Sequence, residues 1–354
     1  MTRHQSINEQ EQLWLEESLA CLSVKGTPEV EALTGDASAR QYFRVKLSGR
    51  SFILCKSLDL DSNARFRRVS SALEHVGVMA PLVFAFDDEL GLMLLSDLGN
   101  TLLIDVYQMN AHSQSYSVLH RVLNDLLRLS QISDELLIDD DSAGGRVRGS
   151  LASYDESLLN RDFGLFTEWC IGKALGLTLS DQEQTYLQAL ADGFEQAFAE
   201  QPWVWVHRDF HSRNLMLTDN DIGVIDFQDM VKGPICYDLI SLIYDAYWQF
   251  PQQTKQTVAV DYYKLLTSEG LISVSEQAFQ CWVAMTAMQR LIKVLGIFCR
   301  LALRDGKTGY LGDLPMVISH INEIHQTHTD ALPSGWLTLW ETKLIPALTV
   351  FLEK

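Results

Sequence analysis

The sequence predicts an α+β chain in two lobes, a small β-rich N-lobe and a larger, mainly helical C-lobe, and three observations carry that expectation. At 354 residues the chain exceeds what one compact core usually holds. Near Thr101 its pattern changes from short apolar runs broken by turn residues to long segments with helical spacing. A β interruption then returns inside the helical half, between Trp203 and Ile225, around the most polar segment of the chain. The lobes are expected at residues 1–97 and 98–354, with Asp97-Leu98-Gly99-Asn100 as the hinge.

The elements follow in order. An amphipathic helix carries Leu13, Trp14, Leu19 and Leu22. Tyr42 to Leu47 and Ser51 to Cys55 flank Ser48-Gly49-Arg50, a hairpin signal, and Asn63 to Val76 has helical spacing. Leu82 to Phe86 and Gly91 to Leu95 form a second strand pair around Asp87-Asp88-Glu89. The larger half predicts helices at Tyr116 to Gln131, Leu158 to Leu175 and Asp181 to Gln201, where Ser180 and Glu183 have the spacing of a capping box. Strands are expected at Trp203 to Val206, Leu215 to Thr218 and Ile222 to Ile225.

Composition narrows the partners. Asp plus Glu outnumber Lys plus Arg by 46 to 28, a formal charge of −18, which opposes nucleic acid and anionic membrane as partners. The six cysteines never form a CxxC pair and read as buried free thiols of a reducing cytoplasm. The N-terminus lacks the apolar stretch of a secretory signal, and no run reads as a membrane span, so a cytoplasmic location is expected. His320, His325 and His328 have no partner Cys and no HExxH pattern, and are expected on an exposed helix. Trp203, Trp205, Tyr237, Tyr244, Tyr247 and Trp248 are expected in the core.

The chemistry is concentrated in His207-Arg208-Asp209-Phe210-His211-Ser212-Arg213-Asn214 and, after a strand pair, Ile225-Asp226-Phe227-Gln228. One acid, one amide and a second acid at this spacing suit phosphoryl transfer: a carboxylate to take the acceptor's proton, and Asn and Asp oxygens to hold Mg2+. A single Asp in such a place more often caps a turn. The ordered set, in its strand and loop context, does not.

On these residues the chain resembles the aminoglycoside-phosphotransferase and choline-kinase superfamily, relatives of the protein kinases, whose catalytic loop reads HxDxxxxN and whose metal loop reads IDF or IDW. The resemblance implies a bilobal protein kinase-like fold that uses ATP and Mg2+. It implies Asp209 as catalytic base, Asn214 and Asp226 as metal ligands, Asp238 as the acid bracing the catalytic loop, and His207 as structural. In the N-lobe, Gly35, Ser38 and Arg40 lie in a turn placed to cover phosphates. Lys56 ends the next strand, where kinases keep a phosphate-binding lysine, and Glu74 is the residue that would orient it. Ser96, Asp97 and Leu98 match the interlobe segment whose backbone meets adenine.

Longer stretches, HRDFHSRNLM, DFQDMVKGPICYDLISLIYDAYW and QRLIKVLGIFCRLALRDGK, are similar to the anomeric N-acetylmuramate/N-acetylglucosamine kinases of Gram-negative cell-wall recycling. Phe210 stands where those relatives usually have Tyr. The expected acceptor is therefore a small amino sugar, with His211, Arg213, Gln228, Glu168 and Asp245 reaching its hydroxyls and acetamido group, and Trp169 or Tyr154 stacking on a ring face. A lactyl carboxylate calls for a cation, with Arg213, Arg290 and Lys293 as candidates; Arg290 and Lys293 equally suit the polar face of a long helix. Two further readings stand beside this one: an aminoglycoside or other amine kinase, which the acidic charge suits, and a catalytically silent nucleotide-binding protein.

Overall fold

The computed structural model describes residues 7–33, 40–109, 115–137, 151–219 and 221–353. Helix α1 (Glu9–Cys21) precedes strands β1 (Glu29–Leu33), β2 (Gln41–Leu47) and β3 (Arg50–Lys56), helix α2 (Leu60–His75), and strands β4 (Val83–Asp87) and β5 (Leu92–Ser96). Then come α3 (Leu103–Met109), α4 (Ser115–Ser130), α5 (Asp134–Leu137), α6 (Glu156–Leu165) and α7 (Asp181–Ala199). Strands β6 (Trp203–Val206), β7 (Leu215–Leu217), β8 (Ile222–Val224) and β9 (Val231–Pro234) lead to α8 (Tyr237–Ile243), α9 (Gln252–Ser268), α10 (Glu276–Asp305) and α11 (Leu314–Thr327), and α12 (Ser334–Leu339) and α13 (Ile345–Leu352) follow.

The chain forms two compact units. Unit 1 comprises Met1–Thr101, Ile132–Leu151 and Leu215–Met230, and unit 2 comprises Leu102–Gln131, Ala152–Asn214 and Val231–Lys354. The first unit thus runs four residues past the expected boundary at 97 and takes in the β7–β8 hairpin as well. Backbone bonds tie that hairpin into the unit, Leu217 N to Thr101 O (2.9 Å) and Val224 N to Met79 O (2.8 Å). The expected hinge is held inside unit 1 by Arg44, whose guanidinium donates to Asp97 (2.7 and 3.1 Å), Gly99 O (2.8 Å) and Asn100.

Unit 1 is built on one antiparallel sheet of order β1-β2-β3-β5-β4. A two-residue turn closes β2 onto β3, with Ser48 (φ 52°) and Gly49 (φ 77°) both left-handed, the geometry that matches strand twist. Phe43, Val45, Leu47, Phe52, Leu54, Leu92 and Leu94 form one face and pack with Leu15 and Leu19 of α1. Asn8 starts α1 through a capping box, accepting from Glu11 N (2.9 Å) while Glu11 accepts from Asn8 N (3.0 Å).

Unit 2 is organised by α10, thirty residues long and largely buried. The helix predicted from Leu158 to Leu175 is α6 continued by a π-helical stretch, Phe166–Ala174. At the junction α10 comes so close that a Cβ on Gly296 would lie 2.4 to 2.5 Å from the backbone of Leu165 and Phe166. Only glycine permits that approach. The predicted capping box opens α7 with Ser180 and Glu183. Strand β9, absent from the sequence reading, pairs with β6; its Lys-Gly-Pro composition hides a strand of four residues.

Three expectations need correction. By length and composition α10 does qualify as a membrane span, although most of its apolar stretch is buried inside the protein. Cys21 and Cys281 are exposed, and Cys55, Cys170, Cys236 and Cys299 are buried. His320 and His325 are buried on the inner face of α11 with Val317, Ile321 and Ile324. The spacing of those apolar neighbours carried that information.

Candidate active site

The loop from His207 to Asn214 leaves β6 in unit 2 with Arg208 in the left-handed region (φ 75°), a conformation that costs a side-chain-bearing residue energy and persists only where its surroundings fix it. Asp238, at the start of α8, supplies the fixing. Its carboxylate accepts from His207 N (2.6 Å) and Arg208 N (2.9 Å), and Ser241 Oγ donates to Arg208 O (3.1 Å). Burial pushes the Asp238 carboxyl up to about 6 against the pull of His207 and of these bonds. His207 is buried, accepts from Asp209 N at Nδ1 (3.3 Å) and packs edge-on against Phe210.

A second buried acid supports the other end of the loop. Asp245 accepts from Ser212 N (2.9 Å) and Tyr247 N (2.8 Å). With no exposed surface and both oxygens engaged, Asp245 holds backbone and is not open to sugar hydroxyls as the sequence suggested. Behind it, Lys255 Nζ meets His320 Nδ1 (3.2 Å) and Glu323 (2.5 Å), and His320 Nε2 meets Asp245 O (3.0 Å). A lysine only donates, so Nδ1 accepts and Nε2 carries the proton. Burial first, then the Lys255 charge, lowers His320 to about 3, so the ring is neutral.

Asp209 itself is open, its side chain 55% exposed. Its main-chain carbonyl accepts from His211 N (2.9 Å) and Asn214 Nδ2 (3.0 Å), a bond in which the Asn214 side-chain oxygen takes no part. Loss of water would raise the Asp209 carboxyl, but Lys293, His211, Arg290 and Arg208 outweigh it and hold the group well below the usual carboxylate range. Asp209 is thus ionised. Arg290 Nη2 stands 3.8 Å from Asp209 Oδ1.

Arg290 and Lys293 lie on the buried face of α10, not on a polar one. Lys293 Nζ donates to Tyr237 OH (2.8 Å) and lies 3.7 Å from Asp162; Tyr154 OH donates to Asp162, and Gln289 Nε2 donates to Tyr154 OH (3.0 Å). Sequence reading missed Asp162. Its signal was an acid three residues after Leu159 and four before Phe166, on a face otherwise apolar. Tyr154, with its hydroxyl committed here and its ring buried, is not a stacking platform.

Three other predicted contacts are placed differently from one another. Arg213 stacks on Tyr247 at 3.6 Å, beside His211, whose ring is edge-on to Tyr247 and whose basicity burial lowers. Glu168 is exposed and pairs with Lys173 (2.6 Å), which also lies 3.5 Å over Trp169.

Unit 1 carries the second acidic loop. Asp226 is exposed and left-handed (φ 63°), and accepts from Gln228 Nε2 (2.9 Å). The next residue, Phe227, is fully buried against Phe66 of α2, ring centroids 4.6 Å apart. Arg40 is buried, donates to Ser62 Oγ (2.7 Å) and lies 5.1 Å over Phe66. Lys56 is paired with Glu11 of α1, whereas Glu74 is exposed near the end of α2, so the expected Lys56–Glu74 pair does not form. Ser96 Oγ accepts from Leu82 N (2.9 Å), and Leu98 lies against Gly223. Asp97, which burial acts to raise, is held below its usual range by Arg44, Ser51 and Gly99 N. Gly35 and Ser38 lie outside the described residues.

The Asn214 amide oxygen in unit 2 and the Asp226 carboxylate in unit 1 are each hard oxygen donors, the kind that Mg2+ takes. Among the described residues no three His, Cys, Asp or Glu side chains gather at a metal-sized site.

Residues 29–267 match the phosphotransferase enzyme family, APH. The chain belongs to that family. It is 34% identical over 332 residues to an N-acetylmuramate/N-acetylglucosamine kinase of Pseudomonas putida, covering 92% of this chain and 93% of the relative. A protein of the same name from Neisseria meningitidis is 33% identical, covering 84% of this chain and 86% of the relative. Among solved structures, an ADP-bound aminoglycoside phosphotransferase, APH(2'')-Ib, superposes with a TM-score of 0.56 at 15% identity, covering 90% of this chain and 99% of the other. An ethanolamine kinase of Plasmodium vivax gives 0.59 at 12%, covering 91% and 92%. The fold of this phosphotransferase is therefore the bilobal kinase-like one.

Proposed function

We propose that this phosphotransferase is an ATP- and Mg2+-dependent kinase that phosphorylates the anomeric hydroxyl of N-acetylmuramate, N-acetylglucosamine or both. The observation that carries the reading is Asp209, an open carboxylate held ionised by the cations around it, in a chain similar over nearly its whole length to kinases of that name. Asp209 takes the proton of the sugar's anomeric hydroxyl as its oxygen bonds to the γ-phosphorus and the bond to the bridging oxygen breaks, leaving ADP and a sugar 1-phosphate. Asn214 and Asp226 are the residues that would hold Mg2+, whose charge offsets that of the phosphates when bound.

The electrostatics of unit 2 favour this acceptor class over a polycationic amine. Arg290, Lys293 and Arg208 all act on Asp209, and a multiply charged amine brought to that carboxylate would meet them. His211 and Arg213 on the loop are the residues proposed to contact the sugar, and a cytoplasmic role in peptidoglycan recycling is the setting that such a product fits.

The test is Mg2+-dependent ADP release with N-acetylmuramate, N-acetylglucosamine, glucose, choline and kanamycin in parallel, with phosphorus NMR of any product. An anomeric phosphate on an amino sugar is the expected result. Turnover with choline or kanamycin alone would discard the sugar assignment.

A further inference from the structure

The two faces of the unit 1 sheet separate two cations that lie close in the strand ladder. In an antiparallel pair, directly opposed residues point to the same side and neighbours along a strand to opposite sides. Lys56 is opposed to Gln41 and to Leu92, so it shares its face with Phe52, Leu54, Phe43 and Leu94. That is the face covered by α1. There its ammonium is paired with Glu11, whose other oxygen caps α1 at Asn8 N. Glu11 is 4% exposed and has both oxygens engaged.

Arg40 belongs to the opposite face. It stands two residues before Tyr42, which is opposed to Cys55, and Cys55 to Met93. Ser62 Oγ anchors its guanidinium, and Phe66 underlies it. Phe66 also packs on Phe227, the residue after Asp226, so one aromatic ring fixes both the cation and the metal loop. The Tyr42 hydroxyl reports the same neighbourhood: burial and Cys55 raise it, Arg40 lowers it, and the charge of Asp226 reaches it. A guanidinium held on packed elements presents its donors as a fixed fork suited to phosphate oxygens. A shift of one residue along β3 changes the face, and Lys56 is on the face away from Asp226.

We propose that Arg40, and not Lys56, is the cation of unit 1 that binds the phosphates of the nucleotide, and that Lys56 with Glu11 fastens α1 to the sheet. This rests on the reading of the chain as an ATP-dependent kinase.

The test compares Arg40→Gln, Arg40→Lys and Lys56→Met with the unaltered protein. Calorimetry measures the affinity of each for ATP, ADP and adenosine, and steady-state kinetics measures KM for ATP and for the sugar. Arg40→Gln should weaken ATP and ADP about tenfold or more while adenosine affinity and the sugar KM stay within about twofold. Arg40→Lys should recover part of the loss, and it carries the test if the Gln variant does not fold. Lys56→Met should keep the ATP and ADP affinities and lower the thermal midpoint. Weakened ATP in Lys56→Met beside normal ATP in both Arg40 variants overturns the assignment, as does an Arg40 defect of equal size for adenosine. Nucleotide affinity is read without turnover, so failure to phosphorylate a sugar with normal ATP binding counts against the acceptor alone. An unaltered protein that binds no nucleotide overturns both readings.

Discussion

The proposed catalytic loop of unit 2 and the proposed metal loop of unit 1 each contain one left-handed residue that is not glycine, Arg208 and Asp226, yet they are held in different ways. Around Arg208 the backbone is fixed by hydrogen bonds with buried side chains: Asp238 accepts from two amides, Ser241 donates to the Arg208 carbonyl, and Asp245 accepts from Ser212 N. Around Asp226 the support includes packing, with Phe227 buried against Phe66, one side-chain bond from Gln228 and one turn bond, Met230 N to Phe227 O (3.1 Å). The difference suits what each loop is proposed to supply. A base acting on one proton needs its position fixed to a fraction of an ångström, and directional bonds do this. A carboxylate that binds a metal with phosphates and water tolerates a looser frame.

The sharpest way to break this comparison is to remove the base and leave its frame. In Asp209→Asn the loop bonds survive, because His211 N and Asn214 Nδ2 bond to the Asp209 carbonyl and not to its side chain. The expected result is a fall in kcat of about 10²- to 10⁴-fold, with ATP affinity by calorimetry and the thermal midpoint nearly unchanged. A kcat within a few-fold of normal would mean that the supported loop presents something other than a base.

Removing the frame and leaving the base should act on stability. Asp238→Ala strips the acceptors from two buried amides and releases the strained turn at Arg208, which should cost about 2 to 5 kcal/mol in chemical denaturation and lower kcat with it. If stability changed by less than 1 kcal/mol, about the worth of one ordinary hydrogen bond, the loop would be held by packing, as the metal loop is.

Much of this design was legible in the sequence because it is local. The Ser48-Gly49 turn, the Ser180 capping box and the order of acid, amide and acid between strands each depend on residues a few positions apart. What was not legible depends on which way a side chain points. Lys56 shares the face of the sheet that α1 covers because of the parity of a strand, and the interval from the hairpin turn does not reveal which face carries α1. Asp162, Lys255 and His320 join networks through partners distant in sequence. Asp245 had the composition of a ligand and the environment of a brace, and only the two amides that it accepts distinguish them.

The smallest expected effect lies one layer further back, at His320, and is read from pH. Its folded value of about 3 lies below the 6.5 of a free histidine, so between those values the unfolded chain binds the extra proton. The stability associated with the neutral ring is present above pH 6.5 and is lost as pH falls toward 3. By linkage this amounts to about 2 kcal/mol between pH 7 and pH 5. His320→Gln keeps an amide able to donate to Asp245 O and cannot titrate. Denaturation of the two proteins at pH 7 and pH 5 should therefore show the variant losing about 2 kcal/mol less than the unaltered chain. His325, lowered to about 4 by burial, contributes a slope of the same sign to both proteins and cancels in the difference. Equal losses would mean that His320 is solvated and protonates freely. The layered support of the catalytic loop would then end at Asp245, and the contrast with the metal loop would shrink to one shell of bonds.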